Sequence, residues 1–542
     1  MSELRFSKAA IRPDSTRGSG KADASGSATP KIVKFPVQPA TWRYSVTGTA
    51  VRIFLTTWLV FTLHFATNTV REIYPAMSLG DHLSFDVSEY SGLHPDIFTL
   101  EGRGTFINNN PGASMIGALP YLISKPAIDL VVDRVERSRA NQQAVDPPKY
   151  DTIYPMAQEF YKAARDRGYD VKFGLAAGTT QAFASAPISA LGAVVMFLAL
   201  LGLTKNIRVS AIFSLLYAFS TPILFRTAQL NQNVLLANFA LFAFVLIMRP
   251  AAAANKKRPF YLLSGLLCGW TVVLDYSGVV FVLALSIYVF LKWKDTEKNN
   301  RKVSDLVRFA AGVAVSISVL LAYQWICFGN PLLPAQSYMP PANFTDLGYR
   351  GFSFPRADLL FETAFGMRYG LFTSAPILLL VFAVPFWLRR SSRLMEYRET
   401  FFVVLFTVMF FIFCSANQYG RMQFNTGVRH ILPVVPFLFI LAANVLLRLP
   451  KLFAVPFAIA ATYWSWCLAM YRDVEQGSGI LEAVKHITLE GFQLPWLTTL
   501  ERMGIVGHAS VIPLFLLCSI LLWLIWSLGA RRPVHDFGRT AN

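Results

Sequence analysis

Polar and apolar positions alternate along the chain in long blocks, not at the periods of a soluble fold. Apolar runs long enough to span a bilayer, or nearly so, cover roughly 48–66, 181–203, 209–225, 233–248, 260–275, 277–293, 308–328, 370–388, 400–415, 430–448, 453–471 and 509–528. The stretch 260–293 is interrupted by Asp275-Tyr276 and is too long for one span, so it reads as two. This pattern predicts an all-α polytopic membrane protein with about twelve transmembrane helices and a large, partly helical first outer loop.

The segments between the runs are unequal. Residues 1–47 are rich in Ser, Gly, Ala, Lys and Arg and read as a disordered basic tail; 48–528 form the bundle; 529–542 form a second tail. Three loops are long, 67–180, 329–369 and 472–508, and long loops are usually functional. The first carries 14 of the 32 acidic residues, and its 129–139 and 155–167 stretches have amphipathic helical patterns.

Composition agrees with a membrane protein. The 542 residues are 54% hydrophobic and only 15% charged, where a soluble chain is nearer a quarter charged. The net charge of +18 follows the loops and does not require nucleic acid. Lys and Arg concentrate in alternate short connections, including Lys205/Arg208, Lys256/Lys257/Arg258 and Arg389/Arg390/Arg393. By the positive-inside rule these are cytoplasmic, as are both termini, and the long loops face outward. The expected location is a bacterial inner membrane. The five cysteines lie in or beside apolar runs with no CxxC, so they read as buried hydrophobes.

Candidate chemistry sits at the outer ends of spans. Arg71 and Glu72 follow the first run, and Asp81, Asp86, Glu89, Asp96, Glu101 and Arg103 come next. A carboxylate at the membrane boundary suits a general base, and a guanidinium fork suits a lipid phosphate. A second group, Tyr419 to Pro433, holds Arg421, Arg429 and His430 among Gly and Asn, the composition of an anion-binding rim. Arginines at span ends also snorkel to headgroups without further function. Asp275 is an acid inside an apolar hairpin, and Arg226, Gln229, Asn231, Gln232 and Asn233 form a polar turn facing the same side. No Walker A, HExxH or GxSxG motif is present.

Several of these runs resemble the GT-C class of membrane glycosyltransferases, which includes protein mannosyltransferases, lipid A aminoarabinose transferases and rhizobial galacturonosyl transferases. The runs are the segment around Glu72, Asn108-Asn109-Asn110-Pro111-Gly112, Phe328-Gly329-Asn330-Pro331, Arg368 to Pro376, and Gly427-Val428-Arg429-His430-Ile431-Leu432-Pro433. The resemblance implies transfer of a sugar from a polyprenyl-phosphate donor to a lipid, glycan or protein acceptor on the outer face. It implies a base in the first outer loop, which maps onto Glu72 or onto Asp86. The family commonly has Asp-Glu before the loop tyrosine, whereas Val70-Arg71-Glu72-Ile73 precede Tyr74 here. The family's Lys-Pro-Pro turn is Asn109-Asn110-Pro111, which leaves Arg71 or Arg103 to meet phosphate, with Asn109, Arg421, Arg429 and His430 as further substrate contacts. A divalent metal is compatible with this chemistry, although no ligand set is legible. The alternatives are a transporter or flippase of lipid-linked sugars, and a non-catalytic membrane scaffold.

The loop charges generate a direct test. In a cysteine-free background, a thiol placed at Gln142 should react with an impermeant reagent added outside, and one at Lys298 should not. The reverse pattern overturns the orientation.

Overall fold

The computed structural model describes residues 44–141, 150–152, 155–248, 260–295, 301–341, 344–388, 395–421, 423, 428–474, 477–507 and 510–529. Most of both expected tails, 1–43 and 530–542, lies outside the described residues, as do Gln142, Lys298 and many of the loop lysines and arginines.

The protein is an all-α polytopic membrane protein. Each of the twelve apolar runs falls on helix. Among the described residues six helices are long and apolar enough to cross a membrane: Val46–Leu63, Gly112–Asn141, Asp170–Thr204, Val303–Phe328, Tyr397–Ala416 and Lys451–Met470. Shorter apolar helices include Ile207–Phe219, Gln232–Met248, Tyr261–Leu274 and Ile512–Ser527. The 260–293 stretch forms two helices, Tyr261–Leu274 and Gly278–Lys294. Asp275 makes the turn, its carboxylate accepting from the Ser277 amide at 2.9 Å.

Gly112–Asn141 extends well beyond the amphipathic helical stretch expected at 129–139. It is one 30-residue helix whose most apolar window has a mean hydropathy of 1.4. Pro120, Lys125 and Pro126 interrupt its apolar run in the sequence, yet they do not end the helix. Other described residues of the first loop form regular elements too. Helix Ile73–His82 leads into an antiparallel hairpin, Ile97–Leu100 with Gly104–Ile107, in which Ile97 faces Ile107. Helix Pro155–Asp166 covers the predicted amphipathic stretch.

Contacts sort the helix ends into two groups. At one end, the Tyr44 hydroxyl donates to the Trp526 carbonyl, the Lys292 ammonium to the Ile247 carbonyl, and Arg398 pairs with Asp295. At the other, the Ala66 amide donates to Ala228, Trp496 Nε1 to the Leu63 carbonyl, and Asn110 to the Val272 carbonyl. Val46–Leu63 and Tyr261–Leu274 therefore run toward the second end, Gln232–Met248 and Gly278–Lys294 away from it, and residues distant in sequence meet there.

Between the ends the packing is apolar and close. Phe244, Phe281, Phe402, Phe406 and Phe437 from four helices interlock, with Phe244 and Phe402 stacked at 4.7 Å. Lipid tails are as apolar as leucine, so helices associate through tight van der Waals contact where small residues permit it. Gly265 and Gly269 of Tyr261–Leu274 meet Val303–Phe328 in this way. A Cβ on Gly265 would lie 2.1 Å from the Phe309 carbonyl oxygen, and one on Gly312 would lie 2.4 Å from that of Leu262.

Replacing Gly265 by Ala should force the two helices apart and destabilise the protein by about 1–3 kcal/mol, the range for overpacking. Thermal unfolding in detergent measures it. Gly174→Ala, where nothing lies within 4 Å of the added carbon, is the control and should keep or slightly raise the midpoint, since Ala is the better helix former.

Candidate active site

The outer-type loops of the sequence reading converge at the second end. Seven segments contribute polar side chains: residues 71–72, 94–108, 226–233, 275, 423, 428–430 and 472. The first helix ends at Leu63, and the chain then turns back through Arg71 and Glu72, which precede Ile73–His82. Helix Gln232–Met248 starts there because Asn231 Oδ1 accepts from the amides of Asn233 and Val234, which caps it.

Arg71 is the hub. Its Nε lies 3.6 Å from Glu72 Oε1, and its Nη1 lies 3.4 Å from Asp96 Oδ2 and donates to the Asn108 carbonyl at 3.0 Å. Burial works against its charge, but Glu72, Asp96 and Asp275 together raise its pKa. Glu72 is 2% exposed, and neither its Oε1 nor Arg71 Nε has a hydrogen-bond partner among the described residues. Its backbone is pinned instead: Ser114 Oγ donates to the Glu72 carbonyl at 2.8 Å, and Asn109 donates to Ser114 at 3.3 Å.

Arg429 enters the same field from the opposite side of the bundle. Its backbone amide donates to Gln423 Oε1 at 2.7 Å, and its carbonyl accepts from Asn233 at 3.3 Å. Burial and Arg71 lower its pKa, while Glu72, Asp96 and Asp275 oppose them. Its Nε has no partner among the described residues. Asp275 accepts from Gln232 Nε2. His94 Nδ1 accepts from the Asp96 amide at 3.0 Å; burial takes its pKa down to about 4. His430 lies well below its usual value for the same reason, with Arg429, Arg71 and Arg226 adding to it. Both imidazoles are therefore neutral at pH 7.

The structure thus brings together Arg71, Glu72, Arg429 and His430, with Asn109 behind Glu72. Asp86, Arg103 and Arg421 make their recorded contacts elsewhere. Asp86 accepts from the Ser88 amide at 2.8 Å and packs on Gly104 of the hairpin. Arg103 is exposed and lies over Gly329, whose φ of +79° and lack of a Cβ allow the approach. Arg421 pairs with Asp358 at 2.7 Å. Asp96, His94 and Arg472 join the site without having been singled out for it by the sequence. Asp96 is one acid among several in its loop, and Arg472 has no motif around it. Asp275 and the 226–233 turn were visible as polar residues at span ends.

Among the described residues, Asp81, His82 and Glu89 have ligand atoms within 4.8 Å of one another. Asp81, however, is already neutralised by Lys172 at 2.8 Å and Lys125 at 3.2 Å. In the polar cluster at the second end, Glu72 and Asp96 both pair with Arg71.

No family model matches the chain, and no curated protein matches it. It is similar to the solved structure of ArnT from Cupriavidus metallidurans in the apo state, with a TM-score of 0.46 and 14% identity over 89% of this chain and 77% of that one. It is also similar to ArnT from Cupriavidus metallidurans bound to undecaprenyl phosphate, with a TM-score of 0.44 and 12% identity over 89% of this chain and 76% of that one.

Neutral His94 adds a pH dependence with a definite sign. A group whose pKa is depressed on folding contributes stability above its unfolded pKa, and that contribution is lost as pH falls through the folded value. The protein should lose stability between about pH 6.5 and 4. His94→Asn should flatten this part of the profile, read as thermal midpoint against pH in detergent.

Proposed function

We propose that the protein is a membrane glycosyltransferase that uses a polyprenyl-phosphate sugar donor at the outer face of the inner membrane, with both termini cytoplasmic. The observation that carries the reading is the Arg71–Glu72 pair. A buried carboxylate and a buried guanidinium lie 3.6 Å apart, both with unused hydrogen-bonding atoms, just past the end of a membrane helix, and Arg429 lies in the same field. A lipid donor requires a site at the interface, and a sugar acceptor requires a polar chamber. Polar side chains gathered where membrane helices end support this reading.

In the proposed step, the acceptor hydroxyl or amine attacks the anomeric carbon and Glu72 takes its proton. The bond from that carbon to the phosphate oxygen breaks, and the electron pair leaves with the lipid phosphate. Arg71 and Arg429 stabilise the charge that grows on the leaving oxygen. Asn109 and Ser114 hold the backbone of Glu72, so the base is positioned by the Asn109–Gly112 turn. Neutral His430 and His94 leave the positive charge of the chamber to its arginines. The transferred sugar and its acceptor are set by contacts beyond these residues.

Glu72→Gln should lower transfer of radiolabelled sugar from polyprenyl phosphate by about 10²–10⁴-fold, the usual contribution of a general base. The protein should stay folded and membrane-inserted, with a thermal midpoint lowered far less than turnover, and Asp86→Asn should keep near-full activity. Retained transfer in Glu72→Gln with loss in Asp86→Asn would move the base to Asp86. Movement of labelled lipid across vesicles without sugar transfer would replace the enzyme with a flippase.

A further inference from the structure

Two buried arginines of the chamber take no part in the step above. Arg226 ends the short helix Ile223–Arg226, and Arg472 follows Lys451–Met470 by two residues. They are 4% and 8% exposed. Arg472 Nη1 donates to the Phe225 carbonyl at 3.3 Å, which sets it beside the backbone of Arg226. Arg226 Nε donates to the Val428 carbonyl at 2.7 Å, which ties it to the residue before Arg429. The three arginines are thus linked through adjacent backbone.

The forks are only partly used. Arg226 Nη2 and Arg472 Nε have no hydrogen-bond partner among the described residues, nor has Gln229 Nε2, on a side chain 7% exposed. Counter-charge is scarce. Glu72 reaches Arg226 through space but is paired with Arg71. Asp473 acts on Arg472, but Arg502 holds its carboxylate at 3.1 Å. Burial and the like charges of Arg429 and Arg472 push Arg226 well below its usual pKa. Neighbouring buried guanidinium groups without a carboxylate are costly unless an anion joins them.

We infer that Arg226, Arg472 and Gln229 form a second anion subsite, next to that of Arg71 and Arg429, which accepts a second phosphoryl group. The inference rests on the phosphate reading of the first subsite. The second group has two chemical sources: the far phosphate of a diphosphate-linked donor, or a phosphate carried by the acceptor. In either case the substrates together bring two anions into the chamber, and the second is held by guanidinium forks that take no part in the departure of the first.

Equilibrium dialysis of the purified protein in detergent against labelled inorganic phosphate and pyrophosphate tests this. The wild type should bind two phosphates, Arg472→Gln should lose one of them, and Arg429→Gln should lose the other. Arg472→Lys keeps the charge and guards against misfolding; it should weaken the second phosphate by about tenfold through loss of the fork. A pyrophosphate affinity about tenfold or more above that of phosphate, abolished by Arg472→Gln, supports the diphosphate-linked donor. Two phosphates without that advantage support an anionic acceptor. A single phosphate that Arg226→Gln and Arg472→Gln leave intact, or one that requires both Arg429 and Arg472, overturns the second subsite and leaves the first standing. No phosphate at all overturns both.

Discussion

The polar end of the molecule depends on how charge is balanced around Arg71. A guanidinium taken out of water requires compensation, and Arg71 receives it from Glu72 on its own loop, Asp96 from the hairpin and Asp275 from the turn between two helices. Three separate pieces of chain are thereby drawn to one point. Arg429 approaches the same acids from a fourth. The arrangement is not saturated, because several donors and acceptors still lack partners among the described residues. Acids shared around Arg71, with directional bonds left unused, are consistent with a site for a charged substrate.

The helices make this possible by two different kinds of packing. Deep in the bundle, glycine contacts and phenylalanine stacking hold the spans, with single serine-to-carbonyl bonds such as Ser316 to Leu266 and Ser264 to Ala243 beside them. A polar network of side chains forms at the second end. Gln181 begins a π-helical turn at Gln181–Ser185 and donates to the carbonyls of Phe61 and Thr227. Thr227 in turn donates to Ser189 at 2.9 Å. This widened turn joins the end of the first helix to the segment carrying Arg226. The same helices that span the bilayer therefore set the spacing of the arginines at its boundary.

Individual residues show how far sequence reasoning reached. Arg71 and Glu72 were visible because a charged pair directly after an apolar run must lie at the membrane boundary. Arg429 and His430 were visible for the mirror reason, lying directly before one. Asp86 and Asp96 look alike in sequence, as acids of one loop flanked by Ser, Gly and Pro. The hairpin turns Asp96 toward Arg71 and leaves Asp86 bonded to the amide of Ser88. Arg421 and Arg429 share a motif, yet Arg421 is drawn to Asp358 from another loop. In each case an interaction partner distant in the chain decided the outcome.

The sequence by itself determined the membrane-spanning helices, the length of the outer loops and the kinds of residue available at each helix end. Those follow from local chemistry: hydrophobic length matched to a bilayer, and loop charge acted on during insertion. Tertiary structure alone decided that Gly112–Asn141 is one continuous helix through two prolines, and which acid meets which arginine. It also decided that Arg226 and Arg472, 246 positions apart in the numbering, lie side by side. Pairing of buried charge depends on distance in space and on exclusion of water, and neither is written in the local pattern of residues.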